Sequence, residues 1–147
     1  MLPDGTRRWG LYGAAGLLVR HVEPGTGQCS YFVALRSELT HMGGTWAVPG
    51  GALTRDETPV EAALREFREE VGLALAPDRV ALVHEDDHGG WSYWTVVVDV
   101  EERFPLPTGV NWETADVRWA TPEELAGLPL LPPFRATLAR LGFLPSS

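Results

Sequence analysis

Glu66, Glu69 and Glu70 are three carboxylates within five residues, a set able to hold a hard divalent cation. They close the stretch Gly51 to Leu73, GALTRDETPVEAALREFREEVGL. Its spacing is Gly51-x5-Glu57-x7-Arg65-Glu66-Phe67-x-Glu69-Glu70-x-Gly72-Leu73. At ordinary residue frequencies, a chance match to this pattern at one start point is on the order of 10⁻⁹, which sets coincidence aside. Oxygen-only ligands select Mg²⁺ or Mn²⁺, and Mg²⁺ also binds substrate phosphates readily. Such an ion neutralises charge building on phosphate oxygens and lowers the pKa of a bound water.

A helix must position these groups. Thr58-Pro59-Val60-Glu61 has the form of a capping box with proline at the first helical position. Gly72 offers the stop. About 13 residues lie between, a little over three turns. Val60, Ala63, Leu64, Phe67 and Val71 fall on one apolar stripe, which docks the helix. Glu66, Glu69 and Glu70 fall on another face, related by i+3 and i+4. The bland alternative is a solvated acidic face, with Arg65 pairing to Glu61 or Glu69. Against it, Glu66 and Glu70 are a like-charged i, i+4 pair, which an ordinary surface helix avoids.

The stretch resembles the Nudix box, the signature of hydrolases that cut diphosphate bonds in nucleoside diphosphates linked to another group. Phe67 departs slightly, standing where the family usually has an aliphatic residue, and it keeps the position apolar. The resemblance implies an α/β fold, the Nudix α/β/α sandwich with a mixed sheet, over about Leu11 to Leu141. It implies that Glu66, Glu69 and Glu70 bind Mg²⁺ or Mn²⁺ and serve catalysis. It further implies that the Gly50 carbonyl completes the metal shell, and that Glu57 and Arg65 pair to brace the loop against the helix. Trp46-Ala47-Val48-Pro49-Gly50-Gly51 reads as a short strand entering a tight turn, where plain turn glycines are the alternative.

Weaker candidates lie outside the box. Ala34-Leu35-Arg36 resembles the family's strand end near the active site, which makes Arg36 a substrate contact. Glu113, a few residues before Val117-Arg118-Trp119, resembles the downstream glutamate of triphosphate-cleaving relatives that adds a metal ligand or base; a solvated loop glutamate is the alternative. Trp46 and Trp112 are the tryptophans nearest the proposed site and could stack on a base, although most of the six tryptophans are expected in packing roles. His84, Asp86, Asp87 and His88 look like a second metal cluster, but their spacing fits no dedicated ligand pattern and favours hairpin-turn residues.

At 147 residues the chain is expected to form a single domain over 1–147, with a mobile polar start over 1–10. A formal charge of −8 argues against a polynucleotide-binding surface and makes metal ions the natural go-betweens for a polyanionic substrate. Cys29, the only cysteine, excludes an internal disulfide and a Cys-based metal site. Arg7-Arg8 before Leu11 to Val19 superficially resembles a signal peptide. No small-x-small cleavage site follows, so the segment reads as a strand and the protein as cytoplasmic, without membrane partners. Oligomeric state stays open, a homodimer included.

Strands are expected at Leu11 to Arg20, Gln28 to Arg36, Trp46 onward, Val80 to His84, Trp91 to Val100 and Val117 to Ala120, with turn residues over Glu85 to Gly90. Thr121-Pro122-Glu123-Glu124 opens a second helix, and Phe134 to Leu141 forms a last one. The resulting expectation is metal-dependent hydrolysis of a nucleoside diphosphate-X compound, with any of Glu66, Glu69, Glu70 or Glu113 as base. The features of ADP-ribose, diadenosine and NADH subgroups are missing or out of register, which leans the substrate toward nucleoside triphosphates. ADP-ribose or a nucleotide sugar is the nearer alternative. A non-catalytic nucleotide sensor is the more distant one, and an isopentenyl diphosphate isomerase relative fits poorly because Cys29 is misplaced for that chemistry.

Overall fold

The structure is a computed structural model that describes residues 13–40, 42–108 and 113–145. Its elements in chain order are β1 (Ala14–Val22), β2 (Cys29–Arg36), β3 (Trp46–Ala47), β4 (Gly50–Ala52), α1 (Pro59–Val71), β5 (Val80–Asp87), β6 (Ser92–Val100), β7 (Thr114–Ala120), α2 (Pro122–Gly127) and α3 (Pro132–Leu141). A single 3-10 turn, Pro77–Arg79, precedes β5. The fold is α/β, with three α-helices among the described residues. The main path of the sheet runs β3-β2-β1-β6-β5, with β4 pairing to β1 and β7 to β2. Two compact units divide the chain, Met1–Leu17 with Pro49–Val98 and Leu18–Val48 with Asp99–Ser147.

The first unit carries the box. Thr58 caps α1 as its sequence demands: its Oγ1 accepts from the Glu61 N–H at 3.1 Å, and the Glu61 carboxylate accepts from the Thr58 N–H at 2.9 Å. Gly72 ends the helix in the left-handed region at φ 88°, and its N–H donates to the Arg68 carbonyl. Ala62, Ala63, Phe67 and Val71 are the buried residues of α1. The expected stripe is therefore rotated, with Ala62 buried and Val60 and Leu64 only half-buried. Small side chains at 62 and 63 let the helix approach the adjacent β4 closely, and this turns the edge of the buried arc toward Glu66.

Close backbone approach also shapes β4. It pairs antiparallel with the start of β1, Gly16 facing Gly50 and Ala15 facing Gly51. A side chain on Gly50 would stand 2.6 Å from the Ala15 carbonyl oxygen and 2.7 Å from Gly16 Cα, so only glycine fits this pairing. Pro49 lacks an N–H and separates β3 from β4, and Gly50 and Gly51, expected in a tight turn after the short strand, lie in β4. The β5–β6 hairpin is longer than expected. Asp87 pairs with Ser92, so Glu85, Asp86 and Asp87 are strand residues and the turn begins at His88. Exposed and half-buried residues alternate along β5, so polar side chains are tolerated on its open face.

In the second unit β2 pairs antiparallel with the end of β1, with β3 and with β7. Its core gathers Tyr31, Phe32, Val33, Leu125, Phe134 and Leu138, and Trp119 and Phe104 pack on Phe32. Thr121 and Glu124 form the second capping box and open α2. The expected polar start over 1–10 lies outside the described residues.

Phe67 is fully buried and anchors α1. Phe67→Ala should destabilise the protein by about 3–5 kcal/mol, read from chemical denaturation. A loss of less than about 1 kcal/mol, the scale of an ordinary exposed substitution, would contradict the docking role given to this face.

Candidate active site

Arg65 is the hub of the box. All five of its N–H donors have acceptors. Nε donates to Glu57 Oε2 at 2.6 Å and Nη2 to Glu57 Oε1 at 2.9 Å, a two-bond fork, and Nη2 also donates to the Ala52 carbonyl at 3.0 Å. The remaining nitrogen, Nη1, faces the other way. It donates to Glu66 Oε1 at 2.9 Å and to Glu69 Oε1 at 3.0 Å. The guanidinium thus joins three things: the end of β4, the loop before α1 and the acidic side of α1.

The loop closes on itself around the same pair. The Thr54 N–H donates to Glu57 Oε1 at 2.9 Å, and the Glu57 N–H returns to the Thr54 carbonyl. Hydrogen bonds from Arg65, opposed by burial and helped by the Thr54 amide, pull the Glu57 carboxyl down to about 2. The same bond to Glu57, with a smaller contribution from Glu66, raises Arg65 further above its already high value. Both groups are charged throughout the physiological range.

Glu66 is largely buried, with 19% of its side chain exposed, whereas Glu69 is 53% exposed. The Glu66 carboxylate lies directly over Gly51: a Cβ added there would stand 2.6 Å from Oε1 and closer still to the rest of the group. The two box glycines therefore differ in purpose. Gly50 permits strand pairing, and Gly51 leaves room for a carboxylate. Glu70 is half-buried, and its Oε2 is a buried oxygen. Among the described residues no three His, Cys, Asp or Glu side chains are gathered closely enough to enclose an ion. Arg65 Nη1 links Glu66 to Glu69.

The donor set fits a hard divalent ion in its chemistry: carboxylate oxygens on one helix, room for the Glu66 carboxylate over Gly51, and Glu66 already withdrawn from bulk water. The Ala52 carbonyl and the Thr54–Glu57 loop were not foreseen from sequence. The bond to Glu69 was, because 65 and 69 are i, i+4. The bond to Glu66 was not, because adjacent helix residues do not face each other; the long planar fork of arginine reaches sideways where a shorter side chain would not.

Of the weaker candidates, Arg36, Trp46 and Glu113 fall in the second unit and His84, Asp86, Asp87 and His88 in the first. Arg36 is half-buried at the end of β2, its backbone bonded to Thr45 and Gly44. The Glu113 carbonyl accepts from the Ser37 N–H at 2.8 Å. Trp46 is 8% exposed, with its backbone tied to Pro129 and Leu131, so little ring face backs the stacking expectation. Trp112 lies outside the described residues. Nor do His84, Asp86, Asp87 and His88 form a metal cluster. His84 Nε2 lies 3.3 Å from Asp86 Oδ1, Asp87 accepts from the Gly89 N–H, and the His88 ring is tilted against Trp91 with centroids 5.9 Å apart.

The NUDIX domain family matches residues 14–141. A Mycobacterium tuberculosis protein named "Putative 8-oxo-dGTP diphosphatase 3" is 42% identical over 98% of this chain and 68% of its own length. The solved Nudix hydrolase RenU of M. smegmatis is 36% identical, covers 97% of this chain and 91% of its own, and superposes with a TM-score of 0.77. The MutT protein of Methanosarcina mazei Go1, at 22% identity, covers 93% of this chain and 96% of its own; its TM-score of 0.67 shows a shared fold. The chain belongs to the Nudix family and is a Nudix pyrophosphohydrolase. Among its described residues no helix is long and apolar enough to cross a membrane.

Glu57→Gln should lower stability at neutral pH. The folded-state pKa of Glu57 lies below its ordinary value of 4.5, so its stabilising charge is fully present above about 4.5 and lost as pH falls toward about 2. The stability gap between the parent and Glu57→Gln should therefore shrink across that window in acid titrations followed by denaturation. A gap unchanged from pH 7 to 2 would show that the ion pair is not its source.

Proposed function

We propose that this protein hydrolyses the diphosphate bond of a nucleoside triphosphate, with oxidised purine deoxynucleotides as the first candidates, using Mg²⁺ or Mn²⁺. One observation carries the reading: α1 presents Glu66, Glu69 and Glu70 on a capped, core-anchored helix, with the Glu66 carboxylate lodged over Gly51. The substrate class draws support from the M. tuberculosis relative and from a Proteus vulgaris protein named 8-oxo-dGTP diphosphatase, 42% identical over 44% of this chain and 62% of its own length.

In this reading Glu66, Glu69 and Glu70 hold the ion, and the Gly50 carbonyl is a further ligand. When bound, the ion supplies charge neutralisation at the phosphate oxygens and a more acidic water. The protein's own groups do the rest. α1 keeps the carboxylates fixed while the substrate changes shape, so no reorganisation is needed during reaction. A glutamate orients the attacking water and takes its proton; Glu66, Glu69, Glu70 and Glu113 are the candidates. Water attacks one phosphorus in line, and the bridging oxygen leaves with the other phosphate. Glu57 and Arg65 stay ion-paired and brace the loop. Arg36 and the tryptophans Trp46 and Trp112 are the substrate-side candidates. A cytoplasmic setting, with its free nucleotide pool, suits this chemistry.

Glu69→Gln and Glu70→Gln should each fold normally by circular dichroism and lose at least ~10²-fold in turnover. Activity within threefold of the parent in both would remove these carboxylates from the mechanism. A panel of 8-oxo-dGTP, dGTP, ATP and ADP-ribose with Mg²⁺, read by phosphate and diphosphate release, tests the substrate class. Turnover of ADP-ribose with none of any triphosphate would reassign it.

A further inference from the structure

The two ends of the Arg65 guanidinium are held unequally. The Nε and Nη2 edge makes three hydrogen bonds, two to Glu57, which is 16% exposed, and one to a backbone carbonyl. Charge-assisted forks of this kind are among the stronger hydrogen bonds in proteins. The Nη1 end makes one bond to Glu66, which is 19% exposed, and one to Glu69, whose side chain is more than half exposed. Of these two, the Glu69 pair lies largely in solvent, where ion pairs contribute little. Three carboxylates share one guanidinium here, so the Nη1 end leaves a net negative charge.

We infer that Arg65 Nη1 is a stand-in cation: it holds Glu66 and Glu69 together until a divalent ion takes those oxygens, while the Nε and Nη2 edge stays on Glu57 and Ala52. The inference rests on the metal-site reading above. A guanidinium N–H and a divalent cation repel each other and compete for the same Oε1 lone pairs. The exchange needs no movement of the arginine backbone or of its Glu57 fork. Rotation of the two carboxylates is enough. Arg65 is thus a positioning residue acting through Glu66 and Glu69. In the ion-free protein it keeps like charges from splaying, and on metal binding it gives up only the two contacts outside its Glu57 fork. The fixed edge then keeps Nη1 close by, ready to take the carboxylates back when the ion leaves with product.

The test is ¹⁵N–¹H NMR of the arginine side chains and the backbone amides in the intact protein, titrated with magnesium alone. In the ion-free protein, Arg65 Nη1 protons should be protected and distinct from those of exposed arginines. As the amides of Glu66, Glu69 and Glu70 shift with magnesium, the Nη1 protons should lose that protection and exchange with water, while the Nε–H signal stays in place. Nη1 protons that remain protected while those amides shift to saturation would overturn the exchange and leave the metal site standing. Nη1 protons unprotected from the outset would also overturn it. Amides of α1 that never respond to magnesium would sink the metal-site reading and this inference with it.

Discussion

The site depends on how one positive charge is divided among three negative ones. Two carboxylates about 4 Å apart repel by about 4 kcal/mol at an effective dielectric of 20. Crowding Glu57, Glu66 and Glu69 around one loop would be prohibitive without Arg65. The guanidinium answers this with geometry as much as charge, since its planar fork reaches Glu57 with one edge and both helix glutamates with the opposite nitrogen. A lysine carries the same charge as a single point and could not make both contacts at once. The pair also locks the loop of residues 52–57 to α1, so the segment entering the helix and the carboxylates leaving it form one unit.

Apolar packing holds this charged assembly in place. Ala62, Ala63, Phe67 and Val71 are buried, and Glu66 sits at the margin of that buried arc. A carboxylate at such a margin is withdrawn from bulk water while still within reach of a small polar ligand. Gly50 and Gly51 make the arrangement possible from the other side, one by permitting the tight pairing with Ala15 and Gly16 and the other by leaving the space the Glu66 carboxylate fills. Helix caps at both ends set the length of α1, which fixes the turn on which each glutamate falls.

Local rules served well where local physics decides. The capping boxes at Thr58 and Thr121, the glycine stop at 72 and the 13-residue span of α1 all follow from short-range hydrogen bonding, and all are present. The Nudix family itself was visible in the box alone. What sequence did not supply depends on distant packing. The rotation of the buried arc toward Ala62 reflects how closely the helix meets β4, and periodicity alone favoured the bulkier Val60 and Leu64. The extra strand residues Glu85 to Asp87 carry turn-like composition, but backbone pairing with β6 overrides it. Trp46 lies next to the box in sequence, but its burial and its backbone ties to Pro129 and Leu131 come from distant segments that sequence proximity does not show.

The central claim is that the acidic side of α1 binds a divalent ion shared with a nucleotide phosphate. Crystals soaked with manganese and a non-hydrolysable nucleoside triphosphate, measured at the manganese absorption edge, address it most directly. An anomalous peak bounded by the carboxylates of Glu66, Glu69 and Glu70, with phosphate oxygens on its far side, is expected. A nucleotide bound with no manganese peak at these glutamates, or a peak only elsewhere on the protein, would contradict the claim.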